Sequence, residues 1–339
     1  MNNKINNSFN YFLGKHKHLN YILKSIRRLL DEDYIDTSLG RNPENVTFEH
    51  PGTNYADKII YFIEIGDEGD GFFAEYRKML NLLYYADCHA LTPYVVFNEK
   101  FHYGKFEDYF EHVPKLEYSK VIKSANMIHS GICHVLPAEL LKEVSAYATS
   151  KQYIEAMARI SAKYVKFNTE LQDQIEKDIK ELQFSGKVLG VHVRGSDFKN
   201  NFKNHPTYVP VHDFCSKAEE IAQNGNYDKV FLATDDTEAV GIFKKCFGEK
   251  LIFYKDTSRT SGNVSVAFQN AMIEDEEKSR LGKEVIRDMF TLARCSGLIA
   301  GKSQVSICAR ISNQAWFNEY KDIIILDKGI NTDGKRYIY

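Results

Sequence analysis

Between Lys187 and Leu326 the chain alternates short β-rich apolar runs with stretches of helical periodicity, and no other feature restricts its possible folds as much. The runs are 187–193 (KVLGVHV), 229–234 (KVFLAT), 250–254 (KLIFY), 296–300 (SGLIA) and 322–326 (DIIIL). Helical patterns fall near 211–223, 236–246, 284–294 and 303–313. Strands separated by single helices at this period specify a mostly parallel, doubly wound sheet. The first half opens in the same way. Lys58 to Ile65 (KIIYFIEI) reads as a central strand, Gly66, Gly69 and Gly71 as a turn, Phe72 to Ala86 as a helix and Pro93 to Phe97 as the next strand. From Ala138 to Leu182 the apolar spacing predicts two or three helices joining the halves, with breaks near Ser150 and Asn168.

In open α/β sheets ligands bind outside the carboxyl ends of strands, and polar residues of this chain collect there. The first group is His192, Arg194 and Asp197, around Gly195 and Ser196. Arginine keeps its charge at any working pH, and its fork of donors suits phosphate oxygens. The competing reading is an Arg194–Asp197 salt bridge with His192 satisfied in the core. The second group is Thr234, Asp235 and Asp236. One carboxylate suits ribose or sugar hydroxyls, and one is equally suited to cap the following helix. The third is Asp288, among the apolar residues of GKEVIRDMFTLAR, either solvated or accepting from a base or sugar. The fourth is Gly301 to Ser306 (GKSQVS), between a strand and a helix, where Gly, Lys, Ser and backbone amides at a helix start favour phosphate. Its spacing is not that of a Walker A loop. The Gly66–Gly71 turn is a poor pyrophosphate cradle because Asp67, Glu68 and Asp70 repel anions. A hydroxyl-rich acceptor suits it better, with Gly71 letting the backbone come close.

A net charge of −2 excludes a general nucleic-acid binder, which needs a strong positive field. Six cysteines, at 88, 133, 215, 246, 295 and 308, show no CxxC pair and no His at metal-ligand spacing. They read as reduced thiols in a cytosolic compartment, with no zinc site expected. The first 30 residues contain no acidic group but six Lys or Arg, with Phe12, Leu13, Leu19, Ile22, Leu23, Ile26 and Leu30 at roughly helical spacing. Such a basic amphipathic helix either packs on the domain or lies on an anionic membrane surface. It has no h-region of a signal peptide, and nowhere do 18 apolar residues run together.

Taken in order, H-V-R-G-S-D, F-L-A-T-D-D, L-G-K-E-V-I-R-D-M-F-T-L-A and G-K-S-Q-V-S resemble the donor half of the α1,6-fucosyltransferase and NodZ-type superfamily. The resemblance runs from about Val188 to Ile311 and weakly through Gly71–Pro93. It implies a GT-B-like α/β architecture, two Rossmann-like domains facing across a cleft. The corresponding division is a basic helical arm (1–56), an acceptor-side α/β domain with linking helices (57–180) and a donor domain (181–339). The resemblance implies inverting transfer of L-fucose from GDP-fucose to a glycan or glycoconjugate hydroxyl. No cofactor or metal is expected, since Asp235-Asp236 is not a D-x-D. It implies that Arg194, Ser303 and Gln304 face the phosphates, that His192 and Asp288 lie by the guanine, and that Asp235 and Asp236 lie near ribose and sugar. Two departures stand out: Gly195 replaces a second arginine, and no glutamate follows the motif as base. Asp197, His205 and Glu75 are the remaining base candidates. Another nucleotide-sugar donor, or a non-catalytic nucleotide-sugar or glycan-binding protein, are the alternatives. The expected location is cytoplasmic, with peripheral contact at the inner face of a membrane through the basic arm.

Overall fold

The computed structural model describes residues 47–66, 71–130, 149–195, 197–263, 275–317 and 319–334, together with residues 19, 22, 140, 147 and 266. Nearly all of the basic arm, the acidic 67–70 turn and residues 138, 139, 141–146 and 148 of the linking region lie outside the described residues.

In chain order the first half contains β1 (Thr47–Glu49), β2 (Ile60–Ile65), α1 (Phe72–Cys88), β3 (Thr92–Phe97), β4 (Phe110–Glu111), α2 (Tyr118–Val121) and β5 (Met127–His129). Then come α3 (Lys151–Tyr164), β6 (Lys166–Phe167) and α4 (Thr169–Glu181). The second half contains β7 (Val188–Val193), α5 (Val211–Asn224), β8 (Lys229–Thr234), α6 (Thr237–Phe247), β9 (Leu251–Ile252), α7 (Asp275–Arg294), β10 (Gly297–Gly301), α8 (Gln304–Trp316) and β11 (Asp322–Leu326).

The first sheet has the order β1-β5-β2-β3, with β2 parallel to both neighbours and β1 antiparallel to β5. β2 is apolar because it is central: Ile60, Tyr61 and Ile63 are fully buried. The sheet takes in Thr47–Glu49, and Asn54 bridges to Ser124, so chain before residue 57 is part of it. A three-residue strand is too short to show a period in sequence. The helix breaks at Ser150 and Asn168 are N-caps, each side-chain oxygen accepting an amide three residues on.

The second sheet is parallel throughout, in the order β11-β10-β7-β8-β9. Side chains alternate across it. Leu189, Val191 and Val193 pack with Phe214 and Ala218 of α5 and Val240 and Phe243 of α6. Val188, Phe231, Leu298 and Ala300 face the opposite way, into a cluster with α7, α8, α1 and α3. That cluster is continuous between the halves: Tyr76, Met79 and Met157 share it with Ile307 and Ile311. The two α/β units are therefore joined by a packed apolar seam built on α1, α3 and α8.

Three sequence expectations need correction. β9 pairs only at Leu251 and Ile252 rather than over 250–254, because it is an edge strand that the chain leaves early. α7 begins at Asp275 instead of 284, its first turns (DEEKSR) being too polar to show an apolar stripe. Cys215 and Cys246 are joined to each other, so these two are not reduced thiols. Helices α5 and α6 bring them together from 31 positions apart, which no local pattern encodes. The pairing also removes the cysteine argument for a reducing compartment. Among the described residues no helix is long and apolar enough to cross a membrane.

Candidate active site

β7 is the first strand of its sheet in the chain but the middle one in space. Its successors β8 and β9 build to one side, β10 and β11 to the other. The crevice between the carboxyl ends of β7 and β10 is thus the topological switch point, where a parallel sheet leaves room for a ligand.

His192, the penultimate residue of β7, is 5% exposed, and its Nδ1 lies 3.3 Å from Ser303 Oγ. Ser303 follows β10 and is the N-cap of α8. This contact spans the crevice. Burial pushes the His192 imidazole down to about 4, with Asp235 opposing and Arg194 reinforcing, so the ring is neutral at physiological pH. Ser303 Oγ accepts from the Ser306 amide and Ser306 Oγ accepts from the Ser303 amide, both at 3.1 Å. Ser306 Oγ also donates to the Gly301 carbonyl at 2.7 Å. This reciprocal cap fixes the turn and sets the positive end of a 13-residue helix at the crevice.

Arg194 leaves the end of β7 and is held by two carboxylates. Its Nη2 is 2.7 Å from Asp197 Oδ1 and its Nη1 2.5 Å from Asp235 Oδ2. Burial alone disfavours the charge, but Asp197 and Asp235 outweigh it and raise the guanidinium above its usual range. The Arg194–Asp197 pair and the buried His192 are what the competing reading described. Asp235 joins them, and its Oδ1 accepts the Gly195 amide at 3.0 Å.

Asp236 does different work. It caps α6 by accepting the Glu238 amide at 2.9 Å, and its other oxygen is 2.7 Å from Lys199 Nζ. It is 1% exposed and lies directly over Gly195. A Cβ at residue 195 would stand 2.5 Å from Asp236 Cβ and 2.8 Å from its Cγ. This explains why no second arginine follows Arg194: residue 195 has no space for a side chain. Gly195→Ala is expected to cost about 1–3 kcal/mol by overpacking, read as a lowered melting temperature. An unchanged melting temperature would show that Asp236 yields freely.

The remaining sequence candidates divide. Gln304, first residue of α8, has its Oε1 3.4 Å from Nη1 of Arg77, a 4%-exposed arginine of α1 whose Nε donates to Tyr153 Oη at 2.8 Å. Glu75, also buried on α1, pairs with Lys78 at 3.0 Å. Gly71 is the N-cap of α1, and nothing lies within 4 Å of an added Cβ there. His205 sits on the loop leaving Arg194, its Nδ1 3.4 Å from Tyr147 Oη, with the rings of Phe198 and Phe202 about it. Asp288 is 7% exposed on α7. Desolvation raises its carboxyl to about 7 even though Arg287 and Arg259 pull it down. Its charged neighbours, which include Glu284 and Asp256, are a different set from those acting on His192.

The fold thus brings His192, Arg194, Asp197, Asp235 and Ser303 together and keeps Asp288 in a second polar cluster. It adds residues that pattern reading missed. A pocket beside Arg194 is lined by Phe198, Thr207, Phe214, Lys302 and Lys328. Lys302 is the exception, already part of the phosphate-suited GKSQVS turn, whereas Lys199, two residues after Asp197, was not singled out. Arg77 showed only as a charge within an apolar helical stretch.

No family model and no curated protein matches the chain. Solved structures similar to it include the NodZ alpha-1,6-fucosyltransferase co-crystallised with GDP, at 18% identity and a TM-score of 0.47 over 76% of this chain and 92% of that one. Another is the fucosyltransferase NodZ from Bradyrhizobium, at 17% identity and 0.46 over 75% and 92%. POFUT1 in complex with GDP-fucose is similar at 12% identity and 0.45, over 81% and 98%.

Proposed function

We propose that the chain is a glycosyltransferase that moves L-fucose from GDP-fucose to a hydroxyl of a glycan or glycoconjugate. The observation that carries this reading is the crevice itself: Arg194, neutral His192 and the capped start of α8 converge at the switch point, in the order of the four motifs. In the reaction the acceptor oxygen attacks the anomeric carbon from the face opposite GDP, the bond to the β-phosphate oxygen breaks, and configuration inverts. Negative charge grows on the leaving diphosphate. Arg194 and the positive end of α8 are placed to stabilise it, with Asp197 and Asp235 orienting the guanidinium until the phosphates take its donors. That arrangement supports transfer without a metal, since Asp235 and Asp236 each hold a cation of the protein instead.

For the acceptor's proton the geometry favours His205. His205 lies on the loop that carries Phe198 into the pocket beside Arg194, while Asp197 acts through its pair with Arg194. Asp288, protonated or charged near neutral pH, is the acceptor offered to the donor N–H groups of guanine.

The test is thermal stabilisation of the purified protein by GDP, GDP-fucose, GDP-mannose, UDP-GlcNAc and ADP, with and without chelator. A ligand specific to the native state at 100 times its Kd adds about 2.7 kcal/mol. Shifts with the GDP compounds that survive chelation are the expected result. A shift confined to UDP or ADP compounds would replace the donor, and donor binding without product formation on any glycan acceptor would favour a binding protein.

A further inference from the structure

Outside the crevice, one cluster of reactive side chains has no part in the proposed transfer. Cys215 on α5 and Cys246 on α6 are joined, fastening the two helices to each other. Glu219 lies one turn after Cys215 on α5, and its carboxylate and both sulfurs fall within 4.8 Å of one another. Cys215 is 2% exposed, in an apolar cluster with Phe214, Ala218 and Phe243. Cys246 is half-buried, at the penultimate position of α6.

We propose that Cys215 and Cys246 form a thiol–disulfide site poised towards the disulfide, a covalent strap between α5 and α6. Reduction by exchange requires each sulfur to leave as a thiolate, and the surroundings disfavour that charge. Cys215 is shut in apolar packing. Cys246 sits at the negative, C-terminal end of a helix dipole, while the side-chain charges about it, Glu219 of one sign and Lys244 and Lys245 of the other, are all exposed and screened. Half-exposure of Cys246 gives a small disulfide, RSSR, its point of entry. The Cys246 thiolate attacks one sulfur of RSSR, which releases RS⁻. The Cys215 thiolate then attacks Cys246 of the mixed disulfide and releases the second RS⁻. Two protein thiols become one disulfide, and RSSR is reduced to two RSH once the protons lost by the cysteines are taken up. The strap lies behind the crevice, because α5 and α6 follow β7 and β8, and Phe214 next to Cys215 lines the pocket beside Arg194.

The proposal is independent of the transferase reading and is tested on the full chain. Protein reduced and stripped with chelator is exposed to oxidised glutathione, then denatured for thiol counting and digested for mass spectrometry. Two fewer thiols than the six cysteines, and a peptide pair linking Cys215 to Cys246, are expected. The oxidised protein should melt several degrees above the reduced one. Cys246→Ser, at the less buried position, should fold and lose that oxidation-dependent gain. Retention of all six thiols would overturn the proposal, as would a melting temperature indifferent to reduction. So would stoichiometric zinc held by the reduced trio that blocks oxidation, an outcome that makes the cluster a metal site.

Discussion

Arg194→Ala is expected to lower glycosyl transfer by about 10²–10³-fold, the usual effect of removing one electrostatic contact where charge develops in a transition state. The assay is release of GDP in the presence of acceptor. The substitution also strands Asp197 and Asp235, whose side chains are only 9% and 14% exposed and which both lean on the guanidinium. Loss of activity must therefore be separated from loss of fold. Arg194→Lys does this: it returns a charge to the carboxylates but not the planar fork that meets two phosphate oxygens at once. The expected outcome is near-native melting for Arg194→Lys with transfer still strongly reduced. Normal turnover in Arg194→Ala would remove Arg194 from the mechanism, and normal turnover in Arg194→Lys would remove the need for its planar fork.

Asp288→Asn is expected to stabilise the protein at neutral and alkaline pH and to leave it unchanged in acid. Burial raises the Asp288 carboxyl from 3.8 to about 7, so the folded chain holds this proton more tightly than the unfolded chain does. The stability from that proton is complete below pH 3.8 and is lost as pH rises through 7. Asparagine stays neutral throughout and avoids the loss. The gain at pH 8 is at most about 4 kcal/mol, the cost of ionising a carboxyl raised from 3.8 to about 7, and no gain is expected near pH 4. Melting temperatures across this range decide it, and a gain of equal size at pH 4 would refute the burial argument. The same substitution should weaken GDP binding, because a carboxylate accepting from the guanine edge is replaced by an amide that offers one acceptor.

His192 runs in the opposite sense. Its imidazole is held down to about 4 by burial, so the folded state resists a proton that the unfolded state accepts below about 6.5. Stability is lost as pH falls from 6.5 towards 4. His192→Gln should flatten the acid limb of the stability profile, measured by denaturant titration at pH 4.5 and pH 7. An acid limb as steep as in the native protein would mean that other groups set it.

The elements themselves were largely legible. β7, β8 and β11 were readable from apolar runs of five or six residues, and the caps Ser150 and Asn168 from the points where helical spacing breaks. The polar first turns of α7 and the three residues of β1 carried too little period to be seen. Within the site, the Arg194–Asp197 pair lies three residues apart and was open to view. Arg194 with Asp235 spans 41 positions, and His192 with Ser303 spans 111. Neither could be read from spacing, although each residue had been singled out for its place at a strand end.

The sequence by itself determined the kinds of element, their order and the polar character of the strand ends, because a strand or helix declares itself through the period of a few neighbouring residues. Which charges meet was decided by the tertiary structure. Strand order sets β7 between β8 and β10, and register lays His192 against Ala233 on one side and Ala300 on the other. That places Asp235 and Ser303 within reach of β7's last residues. The same packing filled the space over Gly195 with Asp236 and brought Cys215 to Cys246. Such contacts depend on how distant segments stack, and local period carries no record of that.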